Sequence, residues 1–212
     1  MLPILILMSN IFLSKTIKLL SRIELVYFGT LYSWMCKRCG KRPRIQKPLL
    51  ITAESLELGD YVVIRKNARI EGVKRYNEQE FEPKIVLEDR VSVQQNLHLT
   101  CANHILIRKN AAIAANVTIT DIHHSYLDTT TPIEWQNIEV REVEIGEGSK
   151  IYNNAVILPG VCLGKNSVVA ANSVVKSGVY PDYCVLAGNP ARIIKQYNAD
   201  TNRWEKPVQK NE

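Results

Sequence analysis

The stretch Ile145–Val175, IGEGSKIYNNAVILPGVCLGKNSVVAANSVV, carries an aliphatic residue at every sixth position. This period matches neither the two-residue alternation of a strand nor the 3.6-residue turn of a helix. A small or branched residue stands four positions after each aliphatic one, which suits a tight corner. The aliphatic positions are Ile145, Ile151, Ile157, Leu163, Val169 and Val175, and the corner positions are Ser149, Ala155, Val161, Ser167, Ser173 and Val179.

The same period appears earlier in the chain in three sets of three residues. Each unit of six has room for a short strand and a turn, so three units predict one triangular coil with its aliphatic side chains inside. Stacked coils bury a continuous core that no single coil could bury. Asparagine and glycine between the strands suit turns with positive φ. The three sets are Leu58, Ile64, Ile70; Leu87, Val93, Leu99; and Ile107, Ile113, Ile119.

The period breaks twice, and the larger break contains two of the four histidines. It runs over residues 120–144 and begins with Asp121, His123 and His124. A uniform coil offers no pocket, whereas a loop held by a rigid scaffold is a common place for function. We therefore expect the active site on this loop. The smaller break, EGVKRYNEQEFEPKI at 71–85, is predicted to be an insertion that caps or shapes the cleft.

The N-terminal segment is apolar but interrupted by polar residues, so it does not predict a membrane-spanning helix or a signal peptide. Leu13, Ile17 and Leu20 recur at helical spacing and predict an amphipathic helix. Such a helix packs on its own domain or a neighbouring subunit, or lies on the inner face of the cytoplasmic membrane. The segment Cys36–Lys47 could assist membrane contact, because six of its twelve residues are Lys or Arg.

Composition places the chain among ordinary globular proteins, with 46% apolar and 23% charged residues. The net charge of +6 is concentrated in the basic segment and has no interleaved aromatic residues, which argues against nucleic-acid binding. Five cysteines are predicted to be reduced thiols of a cytoplasmic protein. A lone Cys36-x-x-Cys39 pair lacks two further ligands at suitable spacing, so we expect no metal.

Together with the terminal VLAGNPARII, the repeat at Ile145–Val175 resembles the hexapeptide-repeat acyltransferases, which fold as left-handed parallel β-helices. The resemblance covers about Pro48–Tyr197 and is strongest to the maltose/galactoside acetyltransferase-like branch, especially surface-polysaccharide O-acetyltransferases. The predicted fold is mainly β: a β-helix over 48–187, preceded by a helix and basic linker over 1–47. A short C-terminal helix and a tail are expected over 188–212.

The resemblance implies an acetyl-CoA-dependent O-acetyltransferase acting on a sugar hydroxyl of a surface glycan or its precursor. It implies a homotrimer with active sites between subunits, and a histidine that acts as general base without a protein nucleophile. An N-acetyltransferase acting on an amino-sugar and a non-catalytic β-helix scaffold remain alternatives.

The branch's motif resembles V-x-I-x-D-x-x-H, and Val117–His124 matches it with His124 at the catalytic position. His123, one residue earlier, is the alternative base. Asp121 either orients the imidazole or forms the turn at the loop entrance.

The resemblance also implies binding positions outside the loop entrance. Asn103 would hold the acceptor or serve as a turn residue, and Trp135 would stack on a sugar or coenzyme A or pack the loop. Positions matching those that contact coenzyme A, with the cations serving its phosphates, are Gly160, Ala170, Ala171, Lys176 and Arg192.

Overall fold

The computed structural model describes residues 2–207, with side chains described from residue 13 onward. It contains one long helix, Leu2–Met35, followed by a left-handed parallel β-helix with three faces. The last residues of the predicted C-terminal tail, 208–212, lie outside the described part. The predicted fold class is confirmed in its main feature, the parallel β-helix.

Each face of the β-helix is a sheet of short strands, and successive strands along the chain move from one face to the next. The first face consists of Arg38–Cys39, Leu56–Leu58, Lys84–Leu87, His104–Ile107, Val143–Ile145, Val161–Leu163 and Gly178–Tyr180. The second face begins with Arg44–Ile45, Val63–Ile64, Ser92–Val93, Ala112–Ile113, Lys150–Ile151, Val168–Val169 and Cys184–Gly188. The third face consists of Leu50–Ile51, Arg69–Gly72, His98–Cys101, Thr118–Thr120, Val156–Ile157 and Val174–Val175.

The aliphatic residues of the six-residue repeat form the core. In register, Leu58 pairs with Leu87, and Ile107 pairs with both Leu87 and Ile145, so side chains of one type stack along each face. All fifteen aliphatic positions of the predicted repeat are buried. Burial of each such side chain contributes about 1.5–3 kcal/mol to the free energy of folding. The corner residues are buried as well, except Val179, which pairs with Cys162 and is 85% exposed.

The corner between the second and third faces carries a ladder of asparagines, which we call the asparagine edge. Its members all have φ near +60°, which asparagine tolerates better than most residues. Each side-chain amide except the last donates to the side-chain carbonyl oxygen of the next asparagine, at 2.8–3.2 Å. These hydrogen bonds link five successive coils, whereas Lys47 stands at the corresponding corner of the first coil. The members are Asn67, Asn96, Asn116, Asn154 and Asn172.

Both breaks in the repeat leave from the corner where the chain passes from the third face to the first, which we call the loop edge. The smaller break contains a hairpin of Arg75–Tyr76 and Gln79–Glu80, and the larger contains a hairpin of Ile122–His124 and Ile138–Val140. Short 3-10 turns lie at Ala53–Ser55 and, within the larger loop, at Ile133–Trp135. The two hairpins therefore project from one edge of the solenoid.

The predicted linker up to residue 47 is corrected, because the first coil begins within it. Arg38–Cys39 pairs in parallel with the strand Leu56–Leu58, and Arg44–Ile45 pairs with Val63–Ile64. Ile45 is completely buried, whereas Arg38 and Arg44 are exposed. Because strand side chains alternate between faces, a basic segment can supply an inward apolar residue and keep its charges in water.

The predicted C-terminal helix is wrong, because the chain forms two antiparallel strands there. Ala191–Asn198 pairs with Cys184–Gly188 of the last coil, and Arg203–Glu205 pairs with Ala191–Asn198 in turn. Ala191 is buried and Ile193 packs against the core. The last coil would otherwise present an unpaired strand edge, and a returning strand satisfies its backbone groups.

The C-terminal half of the long helix packs on the first coil. Phe28, Tyr32 and Cys36 contact the core, and Gln46 donates a side-chain hydrogen bond to Ser21 at 2.8 Å. Gly29 allows this approach, because a Cβ there would collide with the carbonyl oxygen of Pro43. Within the described residues, no helix is long and apolar enough to cross a membrane.

Candidate active site at the loop edge

The two histidines of the larger loop lie on one strand and point to opposite sides of it. His123 pairs with Glu139 and His124 pairs with Ile138 in the antiparallel hairpin. Because adjacent side chains of a strand face opposite directions, the two imidazoles lie in different surroundings. Both side chains are exposed to solvent.

His124 is held by the smaller hairpin. Its Nδ1 lies 3.2 Å from the hydroxyl oxygen of Tyr76, and the two rings meet edge to face with centroids 5.1 Å apart. The Tyr76 hydroxyl also donates to the carbonyl oxygen of Glu134 at 2.7 Å. The second ring nitrogen of His124, Nε2, has no hydrogen-bond partner among the described residues, so it is available to a substrate.

His123 is held less firmly. Its ring lies edge to face with that of Tyr126, with centroids 5.7 Å apart, and Tyr126 is itself exposed. Within residues 13–207 the structure gives the His123 ring no hydrogen bond. Of the two candidate bases, His124 is therefore the one whose orientation the fold specifies.

Asp121 lies at the entrance of the loop and is fully buried. Its carboxylate accepts the backbone N–H groups of Ala102 and Asn103, both at 2.8 Å, and lies 3.3 Å from the Cys101 thiol. Among the described residues no hydrogen bond joins it to either histidine. Of its two predicted roles, this geometry favours the structural one, in which Asp121 ties the start of the loop to the preceding coil.

Side-chain amides hold the loop in shape. Gln136 donates to the carbonyl oxygens of Asp128 and Thr131 at 2.7 and 2.8 Å. Asn77 donates to the carbonyl oxygens of Glu134 and Gln136 at 3.2 and 3.1 Å. These bonds close the loop on itself and attach it to the smaller hairpin.

Asn103 and Trp135 lie near the same edge. The backbone of Asn103 bonds to Asp121, while its exposed side chain has no partner within the described residues. Trp135 ends the 3-10 turn that contains Glu134 and is 71% exposed. Since its indole is largely in solvent, the structure does not show it packing the loop.

The predicted coenzyme-binding residues divide between two edges of one chain. Gly160 and Lys176 lie at the loop edge, and the N–H of Gly160 donates to the carbonyl of Arg141 at the end of the loop. Ala170 and Ala171, by contrast, lie at the asparagine edge, beside Asn172.

Tyr180 interacts with the backbone of one predicted cation, Lys176, and with the charge of the other, Arg192. The Tyr180 hydroxyl donates to the carbonyl of Lys176 at 2.9 Å. Burial raises the pKa of Tyr180, and the nearby guanidinium of Arg192 opposes that rise. Lys176 lies at the loop edge, whereas Arg192 lies on the strand Ala191–Asn198, which pairs with the second face.

Five residues of the site were not predicted from the sequence: Tyr76, Asn77, Gln79, Glu134 and Gln136. A signal for the first three was present in the repeat. Ile70 and Ile119 are each the third member of a set of three, and each break follows directly after that member. Counting sets of three would have placed both breaks at one edge of the solenoid.

The Cys36–Cys39 pair lies at the start of the first coil and not in the larger loop. Within residues 2–207 no cluster of three or more histidine, cysteine or acidic side chains is arranged to hold a metal. Cys36 and Cys39 are free thiols. Burial, with a smaller contribution from Cys39, raises the pKa of Cys36 to about 12.

Comparison with known proteins shows the same class of fold. The family model "Bacterial transferase hexapeptide (six repeats)" matches residues 142–177. Among solved structures, a mutant of AntD, an N-acyltransferase from Bacillus cereus in complex with dTDP and coenzyme A, is 18% identical with a TM-score of 0.67; the match covers 81% of this chain and 90% of that one. A galactoside acetyltransferase in complex with coenzyme A is 21% identical with a TM-score of 0.50, covering 81% of this chain and 70% of that one.

Two curated relatives are similar in sequence. The "Putative lipopolysaccharide biosynthesis O-acetyl transferase WbbJ" of Escherichia coli is 36% identical over 129 residues, 58% of this chain and 65% of the relative. The galactoside O-acetyltransferase of Escherichia coli is 32% identical over 111 residues, 49% of this chain and 50% of the relative. The chain thus spans less than two thirds of the length of either relative. The predicted resemblance to hexapeptide-repeat acyltransferases is confirmed.

Proposed function

We propose that this protein is an acetyl-CoA-dependent O-acetyltransferase that acetylates a sugar hydroxyl of a surface glycan or its precursor. The observation that carries this proposal is the His124 imidazole, exposed at the loop edge and held through Nδ1. An acyl thioester is already activated, so the reaction needs a base rather than a protein nucleophile. Similarity to two O-acetyltransferases supports the choice of acetyl transfer to oxygen.

In the proposed reaction His124 takes the proton of the acceptor hydroxyl as the oxygen attacks the carbonyl carbon of the thioester. The carbon–sulfur bond then breaks, and the departing thiolate recovers the proton from the imidazolium. A positioned base typically contributes 10²–10⁴-fold to such a reaction. Lys176 and Arg192 would contact the phosphates of coenzyme A, and Asn103 and Trp135 would contact the acceptor. No metal is needed in this scheme.

We propose further that three copies assemble and build each site between two subunits. Gly160 and Lys176 lie at the loop edge with His124, whereas Ala170 and Ala171 lie at the asparagine edge of the same chain. If all four contact one coenzyme A, the two edges must come from different chains. Sedimentation velocity should then give a mass about three times 24.1 kDa. A monomer at the concentration used for activity would contradict the shared site.

The exposed side of the long helix supports peripheral contact with the inner face of the cytoplasmic membrane. Leu19, Ile23 and Val26 follow one another at helical spacing and are each more than half exposed. Lys15 and Arg22 flank this apolar face, and cations beside an apolar helix face favour anionic lipid.

Vesicle flotation tests this contact. Ile23→Glu should lower binding to vesicles containing anionic lipid about tenfold or more, because it removes an aliphatic side chain that would enter the lipid and adds a repelling charge. Ser14→Glu is the matched control, since it adds the same charge at an exposed polar position. Equal binding of wild type and Ile23→Glu would remove membrane contact from the proposal.

The transferase test measures release of coenzyme A from acetyl-CoA as free thiol, with sugars, amino-sugars and glycan intermediates as acceptors. His124→Ala should lose 10²–10⁴-fold, while His123→Ala should retain activity within about tenfold. Loss in His123→Ala instead would assign the base to His123. Release with amino-sugars alone would favour N-acetylation, and no release together with no acetyl-CoA binding would favour a non-catalytic scaffold.

A further inference from the structure

The phenol of Tyr76 bonds to two groups of the larger loop, although it lies 48 residues before His124. It donates to the carbonyl oxygen of Glu134 at 2.7 Å and lies 3.2 Å from Nδ1 of His124. A tyrosine hydroxyl has a single proton and can donate one hydrogen bond, while its oxygen can also accept. The proton that points at Glu134 is therefore not available to His124.

The bond between Tyr76 and His124 must then run the other way, with Nδ1–H as the donor. We propose that Tyr76 is a positioning residue that holds His124 in the tautomer with the proton on Nδ1, so that Nε2 presents its lone pair to the acceptor. This inference rests on the proposed function for its catalytic meaning. The tautomer itself is a property of the protein and can be measured without any substrate.

The opposite arrangement is unfavourable on two grounds. If Tyr76 donated to Nδ1, its oxygen and the Glu134 carbonyl oxygen would stand 2.7 Å apart with no proton between them. Nε2 would then carry the ring proton, and the exposed nitrogen could not accept one from a substrate.

The surrounding contacts keep the phenol in place and protonated. Asn77, the next residue, donates to the same Glu134 carbonyl at 3.2 Å, which fixes the acceptor. Burial, with a smaller contribution from the Glu134 carboxylate, raises the pKa of Tyr76. The hydroxyl thus stays neutral near physiological pH. When Nε2 takes a proton, the hydrogen bond from Nδ1–H to the Tyr76 oxygen persists and stabilises the imidazolium.

The first test is a long-range ¹H–¹⁵N correlation spectrum of full-length protein labelled with ¹⁵N-histidine, recorded where the imidazoles are neutral. His124 is assigned by loss of its signals in His124→Gln. We expect Nδ1 to appear as the protonated nitrogen and Nε2 as the bare one. A protonated Nε2 in the wild type would overturn the inference, whatever the enzymatic activity proves to be.

The second test compares Tyr76→Phe with Tyr126→Phe. Each variant loses one hydroxyl from an aromatic ring that lies edge to face with a histidine, but Tyr126 adjoins His123. Tyr76→Phe should admit the other tautomer of His124 and lower kcat about tenfold, with KM changed less than about twofold. Tyr126→Phe should leave the His124 tautomer unchanged. An unchanged tautomer in a folded Tyr76→Phe variant would overturn the inference.

The two proposals fail in distinguishable ways. If the wild type has a protonated Nδ1 but transfers acetyl to no acceptor, the tautomer assignment stands and the proposed transferase activity is wrong. If acetyl transfer depends on His124 but Nε2 is protonated in the resting protein, the transferase proposal stands and the proposed role of Tyr76 is wrong.

Discussion

The side chain of Gln79 makes two hydrogen bonds to the backbone of Ile138, in the manner of a neighbouring strand. Its amide donates to the carbonyl oxygen of Ile138 at 3.2 Å, and its carbonyl oxygen accepts the N–H of Ile138 at 2.7 Å. Ile138 is buried and pairs with His124 across the larger hairpin. The smaller hairpin thus supports the strand opposite His124 as well as the imidazole itself.

Replacing Gln79 with Ala should loosen the larger loop while leaving the coils intact. The backbone N–H and carbonyl of Ile138 would lose their hydrogen-bond partners. Each loss should destabilise the folded loop by about 1–3 kcal/mol. Hydrogen exchange should show faster exchange of the Ile138 amide, with core amides such as that of Ile113 unchanged. Gln95→Ala is the control, since the Gln95 side chain bonds to nothing within the described residues. Equal protection of Ile138 in both variants would contradict the supporting role.

Asp121→Asn should destabilise the protein by about 2–4 kcal/mol, because a carboxamide cannot accept both N–H groups that the buried carboxylate accepts. One amide N–H of Ala102 or Asn103 would be left facing an NH2 group. The free energy of unfolding in urea measures the loss.

Asp60→Asn is the matched control for Asp121→Asn. Asp60 is less buried and its Oδ1 accepts one N–H, that of Lys41, which asparagine can still accept. A stability of Asp121→Asn equal to that of Asp60→Asn would show that Asp121 does not anchor the loop entrance. In that case a role of its charge near the histidines would regain support.

Two substitutions of Asn116 separate the contributions of hydrogen bonding and of backbone conformation to the stability of the asparagine edge. Its φ is +60°, and its side chain bonds to both Asn96 and Asn154. Asn116→Gly and Asn116→Ala both remove these hydrogen bonds, but only alanine strains the left-handed backbone. We expect the alanine variant to be less stable than the glycine variant by about 1 kcal/mol. Thermal unfolding of the two variants side by side tests this, and equal midpoints would contradict it.

The raised pKa of Cys36 predicts slow alkylation in the folded protein. With the pKa near 12, the thiol is almost entirely protonated at pH 8, and the thiolate is the nucleophile. The iodoacetamide rate should rise about tenfold per pH unit from pH 8 to pH 10 and stay far below that of the urea-unfolded chain. Mass spectrometry of the Cys36 peptide follows the reaction. Alkylation at pH 8 as fast as in the unfolded chain would contradict the prediction.

The six-residue repeat predicts the coils of the β-helix. The segments at its two ends were predicted incorrectly from their local composition. Every aliphatic position of the six-residue period is buried, because the period is imposed by the core itself. The period does extend to Arg44–Ile45, because Cys39, Ile45 and Ile51 are six residues apart, but it does not mark Ala191–Asn198. The strand Ala191–Asn198 forms because it covers the open edge of the last coil. Local composition instead suggested a basic linker and a helix.

The sequence by itself determined the β-helix and pointed to His124, because a fixed period and a break in it are visible in one dimension. Only the tertiary structure decided what surrounds that histidine. Tyr76 and Gln79 reach the loop because the stacked coils bring positions 48 and 59 residues apart to the same edge. Asp121 likewise turned out to bind backbone N–H groups of the preceding coil rather than an imidazole. Such contacts depend on the stacking of coils, which the periodicity implies but whose individual hydrogen bonds it does not specify.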